Sequence, residues 1–219
     1  MPKEKRRFKK ERPPDPASTE ADWRLFIAVP MPAAATELVD RIVGELSRPD
    51  WPVRWVAPDS AHLTLHFLGD TAPERAELLR MALASVVARH ETISMHTAGL
   101  GVFPDERRPR VIWLGLGGQT QRLAALHGDL AEALRALDLP VEERRLRPHI
   151  TLGRVRDNPP SGFPVALKRR LDDPALQGLA ARSAAAVHVG EVHLVRSFLG
   201  RSGARHEVLA RYPLRATDR

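Results

Sequence analysis

The chain has 219 residues, 43% hydrophobic and 28% charged, with a formal net charge of +7 and no cysteine. That length supports a sizeable core, and the missing thiols exclude disulfides, thiolate metal sites and cysteine nucleophiles. A basic balance favours polyanionic partners, chiefly nucleic acid, over a neutral surface.

Residues 1–22 differ in character from the rest. Seven Lys and Arg among the first twelve residues face two Glu, and prolines stand at 2, 13, 14 and 16. So little apolar surface cannot offset the entropy of ordering, and a disordered basic tail is expected, either a solubilising segment or an arm for RNA. The charged start lacks the apolar stretch of a Sec-type signal peptide, so the cytoplasm is expected. No apolar run reaches the ~18–20 residues of a membrane span.

The segment 23–219 reads as one domain. Trp23 to Val29 is an apolar strand ending at Pro30, and 33–46 is a helix with Leu38, Ile42, Val43 and Leu46 on its stripe. Val53 to Val56 is a short strand, and Pro58-Asp59-Ser60 turns the chain into a strand over 61–68. Residues 73–90 form a helix with Leu79, Leu83 and Val86 inward. Strand-like segments follow at 92–103 and 111–116, separated by a polar, basic loop. A helix over 119–137, a strand over 148–155 and two short helices at 163–171 and 173–181 come next. One long strand over 185–199 then turns at 200–203 into a last strand over 206–214. Strands joined by short turns as well as by helices favour α+β with antiparallel sheets.

One pattern occurs twice. The chain reads Ala-His-Leu-Thr-Leu-His-Phe-Leu-Gly at 61–69 and Pro-His-Ile-Thr-Leu-Gly-Arg-Val at 148–155. Period-two alternation places His62 and Thr64 on one strand face, with Leu63, Leu65 and Phe67 on the core face. The second copy places His149 and Thr151 together and turns Ile150 and Leu152 inward. Two imidazoles around one cleft suit general acid–base chemistry near neutral pH. Two hydroxyls beside them suit a tetrahedral anion such as phosphate.

The duplicated His-x-Thr-x, each copy on a strand, resembles the signature of the two-histidine (2H) phosphoesterases. The flanks Arg24-Leu-Phe-Ile-Ala-Val-Pro30, Gly101-Val-Phe-Pro104, Pro109-Arg-Val-Ile-Trp113 and Arg147-Pro-His-Ile-Thr-Leu-Gly-Arg154 are similar to the RNA 2′,3′-cyclic phosphodiesterase branch, historically called 2′-5′ RNA ligase. The resemblance runs from about Trp23 to Leu214. It implies two pseudo-symmetric lobes, each giving one His-x-Thr strand to a central cleft. It also implies opening of RNA 2′,3′-cyclic phosphate ends to 2′-phosphates, with the 3′ oxygen leaving. The family often has Tyr where this chain has His206, a departure that bears on the last hairpin.

On this reading His62 and His149 are the acid–base pair, and Thr64 and Thr151 hold the phosphoryl oxygens. No metal or other cofactor is expected, because proton transfer activates the water. Arg154 matches a family arginine for phosphate, and its guanidinium fork fits that anion. Simple alternation sends it to the wrong face unless the strand bulges near Gly153. His66 extends the face of His62, and beside His149 it permits a three-histidine metal site, though no carboxylate partner is evident. The histidines at 90, 96, 127, 188, 193 and 206 match no shared motif and read as structural or surface residues. Trp55, Phe67 and Phe103 either stack on a base or, as is commoner for such residues, belong to the core, to which the strand face of Phe67 assigns it. Arg107, Arg108, Arg110, Arg144, Arg145 and Arg147 either track an RNA backbone or form a solvated surface. The same residues run in reverse would make a 2′-5′ RNA ligase, and an RNA-end binding module is the alternative from another class. The expected partner is an RNA end bearing a cyclic phosphate, met by a monomer.

Overall fold

The computed structural model describes residues 22–182, 185–200 and 203–217. The tail expected over 1–22 lies outside them, apart from Asp22. The elements are β1 (Trp23–Pro30), α1 (Ala33–Leu46), β2 (Val53–Trp55), β3 (His62–Thr71), α2 (Pro73–Val87), β4 (Ile93–Phe103), β5 (Val111–Gly118), α3 (Thr120–Ala136), β6 (His149–Val155), α4 (Phe163–Leu171), α5 (Pro174–Arg182), β7 (Ala186–Val189), β8 (Glu191–Gly200) and β9 (Gly203–Pro213). Each helix buries one stripe: Leu38, Leu79, Leu126, Leu167 and Leu176, one from each helix, join a single core with Leu25, Ile27, Leu63, Ile112 and Ile150 from the strands. Burying each such side chain contributes roughly 1.5–3 kcal/mol.

The strands form one antiparallel sheet in the order β7-β4-β5-β6-β3-β1-β8-β9, with β2 added on β6. The two expected lobes are the two halves of this one continuous sheet. β6 and β3 lie at its middle, and the halves β6-β5-β4-β7 and β3-β1-β8-β9 run outward from them. The long strand expected over 185–199 is two strands, broken at Gly190. The break is needed because β7 pairs with β4 in one half while β8 pairs with β1 in the other.

Both motif strands carry a β-bulge at the same place. Along β3, Thr64 pairs with Ala28 and His66 with Ile27, so Leu65 is the extra residue. Along β6, Thr151 pairs with Trp113 and Gly153 with Ile112, so Leu152 is the extra residue. Each is the third residue after its motif histidine. A bulge inserts one residue against the partner strand and resets which face later side chains take. His66 and Gly153 therefore turn to the core face, and Phe67 and Arg154 turn to the cleft face.

Two expectations change as a result. Phe67 is 47% exposed and is not a core residue, whereas His66 is 1% exposed and does not extend the face of His62. Gly153 is required where it stands: a Cβ there would lie 2.7 Å from Val53 and 2.8 Å from the Trp55 ring. Trp55 packs over the bulge and is partly buried against the core.

Candidate active site

The cleft is built where β3 meets β6. Leu63 and Ile150 pair across the junction. One step either way along an antiparallel register sets His62 across from Thr151 and Thr64 across from His149. Each half thus supplies an imidazole facing the other half's hydroxyl.

The two histidines are held alike. His62 Nδ1 lies 2.8 Å from the carbonyl of Ser60, and His149 Nδ1 lies 2.7 Å from the carbonyl of Arg147. In each case the acceptor stands two residues before the histidine, at the entry to the strand. A ring nitrogen against a carbonyl must carry the proton, so Nδ1–H donates and Nε2 is left for chemistry. Phe26 stacks on His62 with ring centroids 4.9 Å apart and planes at 28°. Phe103 meets His149 edge-on at 4.9 Å, and Arg147 lies 4.8 Å over the Phe103 ring.

Burial pushes the His62 imidazole down to about 4, opposed by the Ser60 carbonyl and helped by the positive charges of His206, Arg154 and His149. His149 is also lowered, by burial first, with Arg154 and Arg147 adding to it against the pull of the Arg147 carbonyl. Both rings are therefore neutral near pH 7. A bound phosphate brings negative charge and raises both, so one proton can then be held by the pair.

The remaining polar groups are uncommitted. Among the described residues, the hydroxyls of Thr64 and Thr151 have no hydrogen-bond partner and the Arg154 guanidinium has no carboxylate partner. Arg154 nonetheless lies close enough to depress both histidines. The bulge at Leu152 brings it to the cleft, which removes the conflict that plain alternation poses.

Other expectations divide. The three-histidine set does not assemble: His66 Nε2 lies 2.9 Å from the His127 carbonyl and its ring stacks on His127 at 4.0 Å. Among the described residues no group of three His, Asp or Glu is placed to hold a metal ion. Of the six candidate RNA-tracking arginines, Arg144, Arg145 and Arg147 line a groove of about 1240 Å³ that begins at His149 and Phe103. Arg110 instead pairs with Asp157 at 2.7 Å. His206, read from sequence as structural or surface, lies in the cleft 5.3 Å from His62. No motif marks it, because its position comes from the far strand of the sheet.

A family model described as the 2′-5′ RNA ligase superfamily matches residues 29–200. The chain is 33% identical over 190 residues to an RNA 2′,3′-cyclic phosphodiesterase of Geobacillus stearothermophilus, covering 86% of this chain and 56% of that protein. It therefore spans little more than half the length of that relative. An RNA 2′,3′-cyclic phosphodiesterase of Archaeoglobus fulgidus is 34% identical over 137 residues, covering 62% of this chain and 75% of its own length. Among solved structures, Escherichia coli LigT complexed with 3′-AMP superposes with a TM-score of 0.66 at 26% identity, over 89% of this chain and 99% of that one. No helix among the described residues is long and apolar enough to cross a membrane.

Proposed function

The chain belongs to the 2′-5′ RNA ligase superfamily, and from that premise we propose that it hydrolyses RNA 2′,3′-cyclic phosphate ends to 2′-phosphates with His62 and His149 as its acid–base pair. The observation that carries this reading is the matched presentation of the two imidazoles. Each anchors Nδ1–H on a carbonyl two residues back and offers Nε2 to one cleft. Relatives named RNA 2′,3′-cyclic phosphodiesterase support the substrate class.

The reaction follows from what the cleft offers. The cyclic phosphate lies between the two Nε2 atoms with its non-bridging oxygens toward Thr64, Thr151 and Arg154. One imidazole takes a proton from water as the water oxygen bonds to phosphorus. The P–O3′ bond breaks, and the other imidazole gives its proton to the departing 3′ oxygen. The hydroxyls and the guanidinium stabilise the charge that builds on the phosphoryl oxygens. The proton taken from water and the proton given to O3′ balance, so the pair needs one proton exchange with solvent per turnover.

A short RNA ending in a 2′,3′-cyclic phosphate, incubated with the purified protein in EDTA, tests this. The expected product carries a 2′-phosphate and a free 3′-hydroxyl. Absence of turnover in EDTA with recovery on zinc would overturn the two-histidine scheme. Joined product in the presence of a 5′-hydroxyl RNA would move the assignment to ligation.

A further inference from the structure

The His62 ring has a third neighbour that the scheme above does not use. His206, on β9, meets His62 nearly at right angles, with ring centroids 5.3 Å apart and planes at 77°. It also meets Phe26 edge-on at 5.1 Å and 70°. Phe26 itself stacks on His62, so three rings close on one another. Across the strand pair His206 faces Ser197 of β8, while Phe26 faces Val195, and these side chains share the cleft face. The His206 ring is half-buried, and neither of its nitrogens has a hydrogen-bond partner among the described residues.

We propose that His206 is a positioning residue for His62, forming one wall of the slot that fixes the imidazole and, through its own charge state, governing how readily His62 takes a proton. Protonated together, the two rings would be cations about 5 Å apart, and their repulsion biases which ring is protonated first. The groups facing the pair leave this repulsion uncompensated. From β3 and β6 they are His62, His149 and Arg154, all neutral or positive. From β1 and β8 they are Phe26, Val195 and Ser197, uncharged, with Arg24 further along the same face, over the Phe67 ring and 4.0 Å from Asp70. The adjacent charges on β8 and β9 turn to the opposite face of the sheet, where Arg196 lies over Trp23 and Phe198, and Arg205 over Phe198; Glu207 pairs with Arg196 across the strands. Burial also lowers the His206 imidazole. His62 therefore has two imidazoles near it, His206 and His149, and a proton on either one opposes a proton on His62; the assignment of His206 to the reaction rests on the hydrolase reading.

Ring titrations of the labelled full-length chain by NMR test the charge part without substrate, so they remain readable if the hydrolase reading fails. In His206→Gln the His62 titration is expected to move up by ~0.5–2 pH units, with His149 moving much less. The limb of kcat/KM governed by His62 should move by the same amount and in the same direction. For the wall, His206→Ala should lower kcat ~3–10-fold through a looser His62, and His206→Phe should recover most of that loss. An unmoved His62 titration in His206→Gln would overturn the proposal. So would equal shifts at His62 and His149 together with a fall in Tm, which marks general loosening.

Discussion

Leu63 pairs with Ile150 where β3 meets β6, and that pairing brings the two motif histidines into one cleft. Both side chains are fully buried, so the junction is held by the core and not by the polar groups of the site. Folding and chemistry are thereby separated on the two faces of the same two strands. Substitutions on the cleft face are expected to change rate far more than stability.

The first prediction concerns the pair itself. His62→Ala and His149→Ala should each lower turnover on a cyclic phosphate by ~10²–10⁴-fold. The double variant should lose much less than the product of the two, since residues acting as a unit are non-additive. The pH–rate profile should be bell-shaped, with each single variant losing one limb. Near-normal activity in either single variant would contradict the scheme.

In the proposed scheme the threonines and Arg154 hold the anion, and Arg154 also bears on the proton through its charge. Thr64→Ala, Thr151→Ala and Arg154→Gln should each cost ~1–3 kcal/mol in kcat/KM as lost donors to a charged oxygen. Arg154→Gln should also raise both histidine titrations, because its cation helps depress each of them. Ring NMR on that variant checks the electrostatic part, and initial rates check the binding part.

The buried His66 makes stability depend on pH. Burial, with smaller help from His127 and Arg135, holds its imidazole down to about 4, against the pull of the His127 carbonyl. The folded value lies below the unfolded one, so between pH 6.5 and 4 the unfolded chain binds more protons and stability falls as pH falls. Above pH 6.5 the group is neutral in both states and imposes no loss. The loss develops as pH drops from 6.5 to 4 and levels off below, reaching at most about 3 kcal/mol. His66→Leu should flatten that part of the acid limb in urea melts taken at pH 4 to 7, and a limb identical to the parent's would count against this origin.

Gly153 tests the bulge. In Gly153→Ala the new methyl would meet Val53 and Trp55 at 2.7 and 2.8 Å. Overpacking of this kind costs ~1–3 kcal/mol. Because Arg154 is the next residue, kcat/KM should fall along with Tm. In Gly153→Ala combined with Val53→Ala, part of the lost stability should return. A variant as stable and as active as the parent would show that the bulge tolerates a side chain.

The sequence by itself determined the elements and the chemistry-bearing motif. The helix over 33–46 and the strand pattern around His62 and His149 follow from apolar spacing, and spacing is a local property that tertiary contacts here reinforce. The duplication likewise located His62, Thr64, His149 and Thr151 on one face of their strands, because two residues of alternation precede any bulge. Only the tertiary structure decided what lies beyond. Leu65 and Leu152 bulge because of how β3 and β6 register against β1 and β5, and that pairing is invisible in either strand alone. The bulges reverse the faces of His66 and Phe67, making the first a core residue and the second an exposed one, and they bring Arg154 to the cleft. His206 reaches His62 only because β9 folds back on β8, which lies against β1. Strand order across a sheet is a matter of long-range packing, and no local periodicity encodes it.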